Sequence, residues 1–461
     1  MVSEAERLPL VVKEKNFYRT LLAVAIPSAL QNMVSLSVGL ADTLMVGTLG
    51  DEVLAGVAVS NQVSVFLFGL LTGLANGASA LVAQYWGKKD VTAIKRIIAL
   101  VFWLCAGVGT VAAAAAFLFP EKVLGLMAGD NAELIEAGVP YLTSVCFSFI
   151  FFAATTSLVT MLRNVEVVVV ALVTSVAAAV VNIALNWAFI FGRLGLPAMG
   201  AQGAGIATCL ARAFECLLII FLVLKVQKKF PLKVSDFFKT KMYMAKDYAR
   251  HGLPIALGDS QWALVTLVKA GIIGHLGTMM VSANAITDTV MAFGMVSAHS
   301  LAAGACVVIG KTVGEGDMKK VRQYSNMIQI IFAGMAVIMA AAVFGLRMPL
   351  VGLFNVSDET KRLAAVFIAI GAATLLGTLY HAACFIGINR GAGDGRFVFI
   401  VDMICGWLIL LPALYFSAHV WMLPLPLVYF ASRIDQCFKW IIAFVRLRGG
   451  KWIRVVTRES T

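Results

Sequence analysis

Twelve times along the chain the sequence runs apolar for about twenty residues or more, long enough in each case to cross the hydrocarbon core of a bilayer as a helix. The stretches cover 21–46, 53–85, 97–120, 139–162, 167–191, 203–224, 253–276, 281–309, 327–346, 363–388, 397–418 and 425–444. Lipid offers a bare backbone no hydrogen-bonding partner, so a spanning segment must be a helix or part of a closed barrel. Composition points the same way. Of 461 residues, 60% are hydrophobic and 13% are charged, with a mean hydropathy of +0.90, whereas soluble domains carry about 25% charged residues. The expectation is an all-α polytopic membrane protein, not a cytosolic enzyme, a secreted disulfide scaffold or a disordered regulator. The eight cysteines lie in apolar stretches without a CxxC or other metal-ligand spacing and read as small packing residues.

Orientation follows from the basic residues between spans. One side collects Arg7, Lys13, Lys15 and Arg19, then Lys88, Lys89, Lys95, Arg96 and Arg163. It also takes the lysine-rich stretch 225–250, Lys311, Lys319, Lys320, Arg322, Arg390, Arg396 and the tail from Arg446 onward. The other side has Lys122, Arg193, Arg347, Lys361 and Arg362. Both termini are therefore expected in the cytoplasm, with a multi-pass chain in the cell's cytoplasmic (inner) membrane. The first span is too long for the apolar core of a cleaved leader, so none is expected. The net charge of +12 is a topology signal and not a nucleic-acid footprint.

The chain also repeats itself. A constant offset of 227 residues maps Pro27 onto Pro254, Gly47 onto Gly274, Gly50 onto Gly277, Gly87 onto Gly314, Asp90 onto Asp317 and Arg163 onto Arg390. An even number of spans per half makes this a parallel repeat, an arrangement found in alternating-access carriers. The expected organisation is a cytoplasmic N-terminus (1–20), an N-lobe of six helices (21–224), a basic linker (225–250), a C-lobe of six helices (251–445) and a cytoplasmic tail (446–461).

The segments "AIPSALQNMVSLSVGLADTLMVGTLG" and "AQYWGKKD" resemble the first two helices of the MATE (multidrug and toxin extrusion) transporters. "VNIALNWAFIFGRLGLPAMGAQGAGIAT" is similar to that family's helix 5–6 region, and "RGAGDGR" to its helix 10–11 loop. The resemblance implies two pseudo-symmetric six-helix bundles forming a V-shaped central cleft. It also implies efflux of drug-like, often cationic compounds driven by inward Na+ or H+.

A charge at mid-membrane costs about 2.5–3.5 kcal/mol on insertion scales, so each one requires a reason. Asp42 is the only charged residue of the first span. Burial penalises its charge and a bound cation compensates it, which is the chemistry of ion coupling; the resemblance places the family's helix-1 acid here. Asn182 and Asn186, at i and i+4, share a helix face and bring oxygen ligands for Na+ or hydrogen bonds for a protonated acid. The plainer role for the two amides is interhelical glue. One branch of the family has an aspartate where this chain has Asn186, so a strict two-acid relay is not expected. Thr208 matches a further family position. No metal site is expected beyond Na+ at Asp42, Asn182 and Asn186. In the second half the offset puts Lys269 opposite Asp42 and Asp259 opposite Asn32. Lys269 is expected to meet Asp288 or Asp402 as a structural pair, with a second cation-dependent site as the sharper reading. Arg212–Glu215 and Asp435–Lys439 have helix-pair spacing. Pro27 and Pro254 are expected to open helices at matching points and to permit bending.

"ACVVIGKT" lacks the first glycine of a phosphate loop, and no GxSxG, HExxH or Cys/His cluster appears. The expected function is a secondary antiporter exporting amphipathic, often cationic molecules, not an enzyme. Its expected partners are the bilayer and small organic substrates, without nucleic acid. It is expected to need no cofactor besides the coupling ion and to act as a monomer. The alternative is a lipid-linked oligosaccharide flippase of a related fold, which would want a more basic cavity.

Overall fold

The computed structural model describes residues 12–458 apart from positions 130, 194, 196, 227 and 355. The ends of the expected terminal segments, 1–11 with Arg7 and 459–461, lie outside the described residues. Among the described residues there is no strand. The first repeat supplies α1 (Lys15–Gly47), α2 (Asp51–Gly77), α3 (Ser79–Gly87), α4 (Val91–Leu118), α5 (Pro120–Ala128), α6 (Ala132–Val145), α7 (Ser148–Asn164), α8 (Val169–Ile190) and α9 (Gly200–Phe221). After the linker come α10 (Met242–His251), α11 (Leu253–Gly274), α12 (Thr278–Glu315), α13 (Met318–Gly352), α14 (Asp358–Ala382), α15 (Gly395–Met403), α16 (Leu411–Tyr415), α17 (Leu425–Ala431) and α18 (Asp435–Arg448).

Among the described residues nine helical segments are long and apolar enough to cross a membrane, and the pair α6–α7, bent by 55° at its break, makes a tenth. The seventh and twelfth stretches of the sequence account for the difference from twelve. The seventh is helical as α11, but Asp259, Gln261 and Lys269 dilute its hydropathy. The twelfth is divided into α17 and α18 by a turn over 432–434.

Contacts within the chain divide it into two compact units. One comprises Pro27–Ala78 and Asp90–Asp259; the other comprises the chain before Pro27, Ser79–Lys89 and Ser260 onward. Sequence similarity divides the chain within 225–250, while packing divides it elsewhere, so each repeat contributes to both units. Pro254 opens α11 as expected, but Pro27 lies inside α1. There its ring leaves the Ala23 carbonyl without the usual helical donor, at the point where α1 passes from one unit to the other.

The repeat is visible in backbone detail. Gly50 and Gly277 both precede a helix with positive φ, 114° and 94°, a conformation that favours glycine. Asp90 and Asp317 both cap helices, accepting from Ala93 N at 2.9 Å and Lys320 N at 3.0 Å, which satisfies a backbone donor at each helix start. Within the second unit α3 packs on the C-terminal half of α12 across a local two-fold relation. A Cβ on Gly87 would overlap the Lys311 carbonyl oxygen, and one on Gly314 would overlap that of Gln84. Those two contacts are each other's equivalents under the 227-residue offset. Gly310 and Ala83, also equivalent, touch at the same seam, where a Cβ on Gly310 would lie 2.6 Å from that of Ala83.

The tail of the chain returns to this seam. The Gln84 amide donates to the carbonyls of Gly391 (3.3 Å) and Arg454 (3.1 Å) and accepts from Val456 N at 2.9 Å. Asp394 receives Arg446 at 2.8 Å and Arg454 at 3.0 Å, and Trp452 is buried.

Overpacking a close contact costs about 1–3 kcal/mol, sometimes more. Gly314→Val is therefore expected to lower the thermal unfolding midpoint of the detergent-solubilised protein clearly. Gly334→Ala, with open space around its Cβ, should leave the midpoint unchanged or raised. Equal midpoints for the two variants would show that the α3–α12 seam is not tightly packed.

Candidate functional site

In the first unit a chain of polar contacts links α1 to α8 and α9. Three turns before Asp42, the Gln31 amide donates to Ser175 Oγ on α8 at 3.1 Å, and Ser175 Oγ donates to Glu215 Oε1 on α9 at 3.0 Å. Arg212, one turn earlier on α9, donates to Glu215 Oε2 at 2.7 Å, as the i, i+3 spacing predicts. This chain of bonds joins α1, α8 and α9 and neutralises the buried Glu215 carboxylate. The Arg212 guanidinium also lies 5.2 Å from the ring centre of Phe152, and that ring stacks on Phe68 at 3.9 Å.

Asp42 follows on α1. The Asn186 amide donates to Asp42 Oδ1 at 2.5 Å and to Asn182 Oδ1 at 3.2 Å. The pair at i and i+4 on α8 thus shares one face, with Asn186 fully buried and Asn182 4% exposed. The direct partner of Asp42 is a neutral amide. The buried Glu215 carboxylate of this unit meets a full positive charge, Arg212 at 2.7 Å, whereas the hydrogen-bond partner of Asp42, like the Asn76 partner of Asp259, is an amide.

Beside Asp42 opens a cavity of about 240 Å³ whose polar lining comes from Asp42, Thr43, Asn61, Tyr141 and Thr208. Its apolar walls include Val46, Leu54, Val57 and Ala204, and it has no Lys or Arg in its lining. Close packing of α2 on α6 builds this wall: a Cβ on Gly138 would lie 2.9 Å from the Gly56 carbonyl oxygen. At that spacing the Tyr141 hydroxyl reaches Asn61 Oδ1 and donates to it at 3.0 Å. Asp42, Asn182, Asn186 and Thr208 are legible in the sequence, whereas Asn61 and Tyr141 are not among the residues it singles out. The signal for them is the GxxxS step Gly56–Ser60 with Gly138, small residues that permit a close helix crossing. Among the described residues no group of three His, Cys, Asp or Glu side chains has the disposition of a metal site.

The other sequence-derived residues do not form one site. Asp259 Oδ2 accepts from Asn76 at 3.1 Å, and Asn76 Oδ1 accepts from Arg163 at 3.1 Å, all in the first unit. In the second unit Asp288 is exposed and accepts from Asn284 at 2.8 Å. Asp402 pairs with Lys439 at 3.0 Å, and not with Lys269. Lys439 also meets Asp435 at 3.1 Å, the i, i+4 pair expected from sequence. Its ammonium sits 4.3 Å from the Trp262 ring centre and is 2% exposed. The cation is thus held between two acids and over a ring, one ammonium against two carboxylates. Lys269 is half-buried on α11. His381 sits against the Gly377 carbonyl at 3.1 Å.

A family model described as MatE matches the chain twice, over residues 27–188 and 254–437; the two matches begin 227 residues apart. The multidrug resistance protein MdtK of Edwardsiella ictaluri is 25% identical over 415 residues, covering 87% of this chain and 87% of that protein. A probable multidrug resistance protein NorM of Pasteurella multocida is 26% identical over 405 residues, covering 86% and 85%. Among solved structures, a MOP superfamily transporter from Pyrococcus furiosus, described as having a binding pocket of reversed polarity, superposes with a TM-score of 0.83. That match has 20% identity and covers 94% of this chain and 95% of the other. A MATE crystal structure in a bent conformation gives a TM-score of 0.82 at 19% identity, covering 94% and 96%.

A part-buried hydrogen bond contributes about 0.5–1.5 kcal/mol net. Tyr141→Phe should therefore destabilise the protein by that order, and Tyr141→Phe combined with Asn61→Ala by less than the sum of the two single changes. Thermal melts of the four proteins measure the coupling; strict additivity would mean that the Tyr141–Asn61 bond does not form.

Proposed function

Because the chain belongs to the MatE family, we propose that it is a multidrug efflux transporter: a secondary antiporter that exports amphipathic, often cationic organic compounds in exchange for Na+ or H+. The observation that carries this reading is Asp42, a carboxylate whose direct contact is the neutral amide of Asn186, beside a cavity without a basic residue in its lining. Such a group favours a positive guest. An incoming Na+ or H+ neutralises it, and so does an organic cation, so the two compete for one charge. Competition for a shared acid couples the two fluxes. Na+ would draw on the side-chain oxygens of Asp42, Asn182 and Asn186, whereas H+ would need the carboxylate alone. Thr208, Asn61 and Tyr141 line the same space and orient the guest. The lipid-linked oligosaccharide reading fits less well, because a pyrophosphate seeks cations and this cavity offers an acid.

Pro27 gives the exchange its mechanical part. A helix that lacks one backbone bond bends there at low cost, and α1 carries Asp42 beyond that point. In this reading neutralisation of Asp42 shifts α1 between two bends and changes the side from which the cavity is reached. A ligand shifts such an equilibrium only by its differential affinity for the two states, which the charge on Asp42 provides.

Membrane vesicles with imposed Na+ and pH gradients, applied separately, test both statements. Asp42→Asn is expected to reduce gradient-driven movement of a fluorescent organic cation to the level of empty vesicles, under whichever gradient drives the parent protein. Unchanged movement would reject the assignment of Asp42. Pro27→Ala restores the missing backbone bond and is expected to slow transport while leaving equilibrium binding of the organic cation in place. A rate equal to that of the parent would remove the bend from the mechanism.

A further inference from the structure

The basic linker is strapped to α4 through contacts that place a group of exposed apolar side chains beside exposed lysines. Lys95 pairs with Asp236 at 2.8 Å, Arg96 donates to the Tyr243 hydroxyl at 2.6 Å, and Trp103 Nε1 donates to the Phe237 carbonyl at 2.8 Å. Phe237 packs on Phe102 with ring centres 5.0 Å apart, and Phe238 lies 5.7 Å from Trp103. Burial acts to raise the Asp236 carboxyl, but Lys95 and the Lys233 backbone N–H outweigh it and hold it below the usual range. The short helix Val234–Phe238 is thus fixed against α4. Even so, Val234 is 61%, Phe238 70% and Met242 86% exposed. Around them residues 225–250 hold seven lysines and one arginine against two aspartates, with Lys233, Lys239 and Lys241 all exposed. Apolar side chains next to cations, with a tryptophan at the junction, are the composition of a surface seated at a membrane–water boundary.

From Trp103 an apolar groove of about 650 Å³ runs along α4 between α2 and α5, past Gly107, Val111 and Ala115, with Phe66 and Leu126 on its sides. Between Trp103 and the far end at Ala116 the α4 axis rises about 20 Å, most of the ~30 Å thickness of a hydrocarbon core. Gly107 opens the floor of the groove, and a Cβ there would meet nothing within 4 Å. The groove is long, narrow and apolar, and it begins where the basic surface ends.

We propose that the groove and the linker together form a binding site for one anionic phospholipid. Its acyl chain lies along α4 over Gly107, and its phosphate is held by the lysines flanking Phe238, chiefly Lys239 and Lys241. Charge complementarity selects the head group: a phosphodiester with net negative charge is attracted by this linker, and a zwitterionic one much less. Trp103 marks the boundary between the two halves of the site.

The test is native mass spectrometry of the purified full-length protein in detergent, supplemented with phosphatidylglycerol or phosphatidylcholine of identical acyl chains. The parent protein is expected to retain one phosphatidylglycerol several-fold more than phosphatidylcholine, and water-soluble glycerol phosphate should not displace it. Lys239→Gln with Lys241→Gln is expected to bring the two lipids to parity. Gly107→Leu, which fills the groove floor where there is open space, is expected to lower retention of both. Equal retention of the two lipids by the parent protein would overturn the proposal. So would displacement by glycerol phosphate, or a Gly107→Leu protein that retains phosphatidylglycerol as the parent does. Should Gly107→Leu fail to give folded protein, the head-group comparison in the parent and in the doubly substituted lysine variant decides the question alone.

Discussion

A carboxylate or ammonium carried into a bilayer has to be compensated by another group, and the charged side chains of this chain are compensated in different ways. Glu215 has Arg212 at 2.7 Å, and Lys439 is enclosed by Asp402 and Asp435. The partners are fixed in the fold: Arg212 neutralises Glu215, whereas Lys439 is one ammonium set against two carboxylates. Asp42 differs. Its direct contact is the amide of Asn186, which supplies a hydrogen bond but no charge, and in the proposed function an exchangeable ion or guest supplies that charge.

The arrangement around Asp42 depends on helices that approach closely. Gly56 and Gly138 let α2 and α6 come together, which brings Tyr141 to Asn61. The Gln31–Ser175–Glu215–Arg212 chain holds α1 against α8 and α9. Interhelical hydrogen bonds in membranes are individually worth only about 0.6 kcal/mol, so position is set by several acting together with small-residue packing. Pro27 then adds compliance in the same helix that carries the acid. Rigid walls and one bendable helix are what a carrier needs if neutralising a single charge is to change access.

Much of this was legible in the amino-acid sequence. The 227-residue offset predicts equivalent features, and Gly50 with Gly277 and Asp90 with Asp317 keep the same local conformation. The i, i+4 spacing of Asn182 and Asn186 predicts one shared face, and the two amides do bond to each other. Local spacing was informative because helix geometry converts it directly into direction. Contacts between helices distant in sequence were not legible. Lys269 has Asp288 and Asp402 as plausible partners on hydropathy alone, yet Asp402 is taken by Lys439 through the packing of α18. Asp259 bonds to Asn76 in the other unit from Lys269. Nor does the apolar stretch 425–444 show the turn over 432–434 that divides it into two helices.

Ion release on binding measures the role of Asp42 directly. An organic cation is added to the purified protein in weakly buffered solution, while pH and free Na+ are followed together. Binding is expected to expel the coupling ion from the parent protein, and Asp42→Asn is expected to bind the guest weakly with no release of either ion. Tight binding without release of H+ or Na+, or the same release from Asp42→Asn, would contradict it.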